Sequence, residues 1–392
     1  MRYQAALLPE TGGLKFPAAA RQARSASGAM AAGGSLLYEA LMDGSDSGGP
    51  GDLGALLADP AWLPHRVVGG GAVQFAYLPR EEQRALPFLD ERFVSEDAPR
   101  AEIPLARLAA AGRAEAGGDC HFIFHSAFCC STLLGRALDG GGIAMVLQEP
   151  RALTDISAAL TGPEGHEEAR PGLDCVLALL QRPHRAGEAV IVKPSNFANP
   201  LIDDLLDLRP GARALLMYAR LPDFLLAIVR RGATNRGWAR RMATLFRRHP
   251  QIDAREGRDL LLLTDLQAAA WVWLHHQAQF ARLVRERPPG RIATLEMGAF
   301  LKDPAGSLMG AASLFGLEMD EARAVEIAGG PAFRRHSKRP DRAFDPAVLK
   351  REEAAAKFAY GAEIDIAVQW AEDLAARAGV PLSLERALPG HP

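Results

Sequence analysis

Lysine is scarce in this chain of 392 residues: only Lys15, Lys193, Lys302, Lys338, Lys350 and Lys357 break an otherwise arginine-based set of cations. No apolar run approaches the ~18 residues of a membrane-spanning helix, and Met1-Arg2-Tyr3-Gln4 opens no apolar export segment, so no membrane partner is expected and the cytoplasm is the expected compartment. Cysteine is limited to Cys120, Cys129, Cys130 and Cys175, three of them crowded together. Neighbouring cysteines pair poorly, so these thiols are expected to be reduced rather than part of a disulfide framework. A net charge of −2 denies the chain the basic field that drives nucleic-acid binding, and no nucleic-acid partner is expected. No G-x-x-x-x-G-K-S/T run exists, which argues against a kinase or ATPase. His275-His276 have no third ligand clustered with them, and no metal is expected.

What is present points to an α/β protein. The length suits one large domain plus a smaller one, read here as an N-terminal module over 1–115 and a main domain over 116–392. Residues 11–34 and 44–56 are rich in small residues and carry no legible chemistry. The stretch from Trp62 to Phe93 holds enough apolar and aromatic residues for a small packed module, with a strand over 72–78 and a helix over 80–87. A weak boundary falls at 114–119, and 161–172 reads as an exposed acidic insertion. From 120 onward short apolar strands (120–126, 143–147, 189–193, 213–218, 291–295) alternate with helical patterns, the signature of a mostly parallel sheet with helices on both faces. A long apolar helix over 260–286, a basic run over 334–342 and helices over 346–357 and 362–378 complete the chain.

The most informative segment runs from His121 to Arg136. An apolar strand breaks into a turn of small residues and resumes as a helix with Ser131 and Thr132 in its first turn. The first N–H groups of a helix lack internal partners and sit at the positive end of its dipole, so two hydroxyls beside them make an anion site without a lysine. Glu149, Lys193 and Arg220 each follow directly on a strand end, so all should share the carboxyl edge of the sheet with that loop. Each has a plainer role open to it: Glu149 as a helix cap, Lys193 as an edge residue, Arg220 in a structural ion pair. Cys130 to Arg136 also fits the C-x5-R pattern of thiolate phosphatases, but Leu133-Leu134 stand where that loop needs glycines and polar residues.

The ordered series resembles the sulfotransferase family, in its Golgi-type and bacterial branches that use a glutamate base. Ser131-Thr132-Leu133-Leu134 matches the end of the family loop, Glu149 lies seventeen residues after Thr132, Lys193 follows a later strand, and Arg220 ends another. Arg291 to Glu296, followed by Lys302-Asp303-Pro304, resembles the family's late strand-plus-acid element, so the likeness spans roughly Asp119 to Leu317. It implies a P-loop-type fold and 3′-phosphoadenosine 5′-phosphosulfate as donor, with no metal. The acceptor would be a hydroxyl or amine on a small molecule or peptide. In that reading the backbone around Cys129, Cys130, Ser131 and Thr132 holds the 5′-phosphate, Glu149 is the base, Lys193 meets charge developing on the bridging oxygen, and Arg220 grips the 3′-phosphate.

The departures are specific. Phe128 stands where the family has a cation, Cys129 and Cys130 where small Ser and Gly are common, and Ile228 where a phosphate-binding serine follows the arginine. Arg335 and Lys338 of the basic run are the expected compensating cations; His125, Arg230 and Arg231 are others nearby. A relative that kept the nucleotide site and lost transfer is the alternative reading. The acceptor and the oligomeric state have no motif.

Overall fold

A computed structural model describes residues 53–69, 71–111, 120–161, 170–248, 262–336, 339–343 and 345–388. Lys338, the 114–119 boundary, most of the 161–172 insertion and the small-residue stretches before 53 lie outside the described residues. The chain divides between Asp52 and Leu53, and every element below belongs to the second unit, Leu53–Pro392.

That unit opens with a short helix, α1 (Leu53–Ala58), and a three-stranded antiparallel sheet of β1 (Trp62–Val68), β2 (Ala72–Tyr77) and β3 (Arg100–Pro104) in that order, with α2 (Arg80–Ala85) between the second and third strands and α3 (Leu105–Ala110) after them. β1 and β3 were not read from the sequence. Pro64, Arg66 and Arg100 interrupt their apolar alternation, and the strands exist because β2 offers its alternate buried residues, Val73 and Phe75, between them.

The main sheet is wholly parallel, in the order β5-β6-β4-β7-β8: β4 (Cys120–His125), β5 (Met145–Gln148), β6 (Val190–Lys193), β7 (Ala214–Tyr218) and β8 (Ile292–Glu296). All six residues of β4 are buried, as a central strand covered on both faces requires. From β4 the chain runs through α4 (Ser131–Gly140) to β5 on one side. It then returns through α5 (Arg151–Thr161), α6 (Arg170–Leu180), a 3-10 turn (Asn196–Leu201) and α7 (Ile202–Leu208) across β6 to β7. Right-handed crossovers in opposite directions put α4 on one face and α5 to α7 on the other. The reversal beside β4 opens a crevice at the carboxyl ends of the strands.

Beyond β7 come α8 (Leu221–Arg230), α9 (Ala233–Arg248) and α10 (Asp265–Glu286). A capping box between Thr264 and Gln267 starts α10, which buries Trp271, Trp273 and Phe280 in the core. After β8 follow α11 (Met297–Lys302), α12 (Pro304–Phe315), α13 (Glu321–Ala328) and α14 (Pro331–Arg334); the basic run then forms a strand pair, β9 (Arg335–His336) with β10 (Arg339–Ala343), rather than a plain loop. The two final helices expected from sequence are one helix, α15 (Pro346–Ala378), because Gly361 stays helical and α15 packs along α8 and α10. Among the described residues no helix is long and apolar enough to cross a membrane.

The antiparallel sheet is fastened to the main one by charge. Arg66 Nε donates to Asp155 of α5 at 2.6 Å, and the Val67 N–H reaches the same carboxylate at 3.1 Å. Arg182, after α6, is buried and donates to the carbonyls of Leu57 (2.7 Å), Leu56 (3.1 Å) and Asp59 (3.1 Å) at the start of the unit. Burial pulls its guanidinium down to about 10.

Candidate active site

The turn between β4 and α4 forms where the sequence suggests, by unusual backbone. Between β4 and α4, Ala127 (φ 70°), Phe128 (φ 50°) and Cys130 (φ 63°) are all left-handed without being glycine. Such residues persist only where the surroundings over-determine them. Here the Ser126 N–H continues the ladder to Met217 O (3.0 Å), Cys129 Sγ donates to the same oxygen (3.4 Å), and the Ala127 N–H donates to His125 Nδ1 (3.1 Å). Phe128 packs edge-on against Trp238 (4.9 Å between centroids) and Phe224 (5.7 Å). The loop is thus held by apolar packing on one side. The first turn of α4, with Ser131 and Thr132, faces a cavity of about 470 Å³.

Close approach of α4 to β5 places the acid. A Cβ on Gly135 would fall inside contact distance of Gln148 Nε2 and 3.2 Å from both Gln148 Cδ and Val146 Cγ1, so a methyl there would have to displace the Gln148 amide and push on Val146. Gln148 Nε2 then reaches Thr132 O at 3.4 Å. The next residue, Glu149, is also left-handed (φ 52°); its N–H donates to Lys193 O (2.7 Å) and its side chain lines the cavity.

Glu149, Lys193 and His125 converge. Lys193 Nζ donates to Glu149 Oε1 at 2.6 Å and lies 3.2 Å from His125 Nε2, with that nitrogen 3.6 Å from Glu149 Oε1. Lys193 is fully buried, and its ammonium also sits 5.8 Å from the Phe88 ring centroid. It stands behind Glu149 rather than on the cavity wall. Glu149 Oε2 has no partner among the described residues, so the carboxylate is held by one oxygen and presents the other. His125 is a third member of the cluster that sequence reading treated only as a spare cation. Its signal was weak, because a strand-end histidine in an apolar run is usually core.

Two walls flank this centre. Phe88 to Phe93, from the segment after α2, forms one; Arg92 pairs there with Asp90 (2.9 Å) and Arg151 with Glu91 (2.6 Å). The first half of α9 forms the other with Thr234, Asn235, Trp238 and Arg241, whose spacing marks one helical face, and Arg231 joins them from the turn before it. Arg241 and the Phe88 wall were missed in the sequence; the helical spacing was the available signal for the first, and nothing marked the second.

The remaining expected residues fall elsewhere. Arg220 follows β7 as expected, but its side chain is 69% exposed, pairs with Asp223 (3.0 Å) and does not line the cavity. Ile228 is buried in the core and does not line the cavity. Arg335 is exposed and lines a different cavity, of about 590 Å³, beside Arg136, Asp139 and Gly141 at the far end of α4. Ten helical residues separate the two ends by about 15 Å. All four cysteines are free thiols, and burial pushes Cys120 up to about 12. No group of three or more His, Cys, Asp or Glu among the described residues is placed to hold a metal.

No protein-family profile and no curated protein matches the chain. Among solved structures it is similar to the sulfotransferase domain from the curacin biosynthetic pathway, at 12% identity over 68% of this chain and 99% of that one (TM-score 0.37). It is also similar to a sulfotransferase from Alicyclobacillus acidocaldarius, at 16% identity over 66% and 96% (TM-score 0.36). A third is the sulfotransferase domain of the Synechococcus PCC 7002 olefin synthase, at 13% over 63% and 96% (TM-score 0.33).

Proposed function

We propose that the protein transfers a sulfuryl group from 3′-phosphoadenosine 5′-phosphosulfate to a hydroxyl or amine acceptor. The observation that carries this reading is a loop with helix-terminal N–H groups and two hydroxyls opening onto the same cavity as a carboxylate anchored by a buried lysine. The loop and the first turn of α4 hold the donor's 5′-phosphate. Glu149 Oε2 takes the acceptor's proton as the acceptor oxygen or nitrogen attacks sulfur; the sulfur–oxygen bond to the phosphate breaks, and adenosine 3′,5′-bisphosphate leaves. A positioned base contributes ~10²–10⁴ in rate, and the fixed charges of the site add more without reorganising. Lys193 fixes Oε1 and so aims Oε2. That differs from direct contact with the bridging oxygen, for which its ammonium would have to leave the shelter of Glu149.

The anionic far end of the donor falls to Arg231 and Arg241 rather than to Arg220 and Arg335. The outward Arg220 and core-facing Ile228 favour a second reading, in which the cavity binds a nucleotide and transfers nothing. Incubation with sulfur-labelled donor and a fractionated panel of hydroxyl and amine acceptors separates the two. Label should move to an acceptor with wild type and not with Glu149→Gln. Tight nucleotide binding with no label moved by wild type would select the second reading.

A further inference from the structure

α15 is apolar on two sides. Its inner side, with Ala356, Ile364, Ala367, Ala371 and Leu374, is buried in the core, as a helix docked on α8 and α10 requires. Its outer side carries Phe358, 96% exposed, Ile366, 67% exposed, and Val348, 39% exposed, with exposed Ala355, Ala359 and Ala362 between them. Positions 351, 355, 358, 362, 366, 369 and 373 recur at steps of four and three, one continuous stripe along a helix of 33 residues. Singly exposed apolar residues are ordinary, but a phenylalanine left almost wholly in water at the centre of such a stripe marks a contact surface.

We propose that this face binds a second copy of the chain, helix against antiparallel helix, about a two-fold axis through Ala362. The pairing is written in the charges and sizes. Antiparallel alignment about Ala362 sets Phe358 against Ile366 of the other copy, Ala355 against Gln369, Arg351 against Asp373 and Val348 against Ala376, each pair equally spaced about the axis. In these four pairs each apolar residue meets an uncharged one and the cation meets an anion. Parallel alignment would set Arg351 on Arg351 and Asp373 on Asp373, which repel. The residues nearest the axis are Gly361 and Ala362, so the backbones can approach closely where the helices cross. An isologous two-fold contact of this kind closes on itself and gives a dimer, not a filament.

Sedimentation equilibrium of the full chain tests this. Wild type should run at twice 42.0 kDa. Phe358→Glu, at a position exposed in the monomer and harmless to folding, should give a monomer with an unchanged circular dichroism spectrum. Arg351→Asp and Asp373→Arg should each weaken the dimer by about tenfold or more, and the two together should restore it, because the reversed charges again meet across the axis. On mild oxidation Ala362→Cys should form a disulfide between copies that wild type and Gln369→Cys do not, since only position 362 faces itself. A monomeric wild type at concentrations up to about 100 µM, the range of weak association, would overturn the proposal. So would a dimer that Phe358→Glu leaves intact, or charge reversals whose combination does not recover, including the case in which residues 1–52 of the same chain cover the face.

Discussion

Glu149→Gln and Lys193→Met, made singly and together, measure how far the centre of the site is an electrostatic unit. Lys193 is fully buried and the Glu149 side chain is 13% exposed, with 2.6 Å between their charged atoms. Glu149→Gln keeps the shape but strands an ammonium away from water, and breaking one partner of a buried pair costs about 3–5 kcal/mol. Lys193→Met strands a carboxylate that already opens onto the cavity, where water can replace the lysine, so the cost is smaller, about 1–3 kcal/mol. The double change leaves no charge behind and should lie within about 1 kcal/mol of wild type. Equilibrium urea unfolding of the four proteins gives the cycle, and the double variant should be more stable than Glu149→Gln alone. Additive losses, or a Glu149→Gln variant as stable as wild type, would show that the pair is not coupled as its geometry requires. The same variants separate roles in transfer: both singles should lose turnover when assayed well below their unfolding temperatures, Glu149→Gln by losing the base and Lys193→Met by losing its aim.

Gly135→Ala, which helix propensity alone would make stabilising by about 0.5–1 kcal/mol, should instead cost about 1–3 kcal/mol, because its methyl meets Gln148 and Val146; a raised melting temperature would contradict the close approach. Burial holds His65 and His275 down to about 4 and His276 to about 3, so between pH 6.5 and 4 the unfolded chain binds protons that the folded one refuses. Stability should therefore fall as pH drops through that window, with a slope approaching three protons or roughly 4 kcal/mol per unit; a flat stability profile from pH 7 to 5 would show that these rings are not buried neutral. For nucleotide binding, Arg231→Ala with Arg241→Ala should weaken adenosine 3′,5′-bisphosphate by about tenfold or more while Arg220→Ala changes it little, the reverse of what the sequence pattern alone implies. Calorimetry decides between the two orders.

The parallel sheet was legible because its strands are buried on both faces and so read as unbroken apolar runs; β4, with six buried residues in succession, is the clearest. The turn after it was legible because a strand that breaks into small residues and resumes with Ser131 and Thr132 as a helix start is a local feature. That Glu149 and Lys193 share the carboxyl edge of the sheet was legible from their places at strand ends. Their salt bridge was not, since Gln148 and Lys193 are paired only through a register that one sequence does not state. Arg220 misled because its position after β7 is right while its side-chain direction is set by Asp223. Arg335 misled because charge alone does not say which end of α4 a distant hairpin reaches. β1 and β3 were hidden by proline and arginine within them, and the continuous outer face of α15 by reading two helices, over 346–357 and 362–378, where there is one.

We propose that the loop at the start of α4 holds a nucleotide's phosphate beside Glu149. A calorimetric titration of wild type and of Ser131→Ala/Thr132→Ala with adenosine 3′,5′-bisphosphate, against 5′-AMP, tests it most directly. The account predicts saturable one-to-one binding by wild type, tighter for the bisphosphate, and a loss of about tenfold or more when both hydroxyls are removed. No binding by wild type, or binding that the loop substitutions leave untouched, would contradict it.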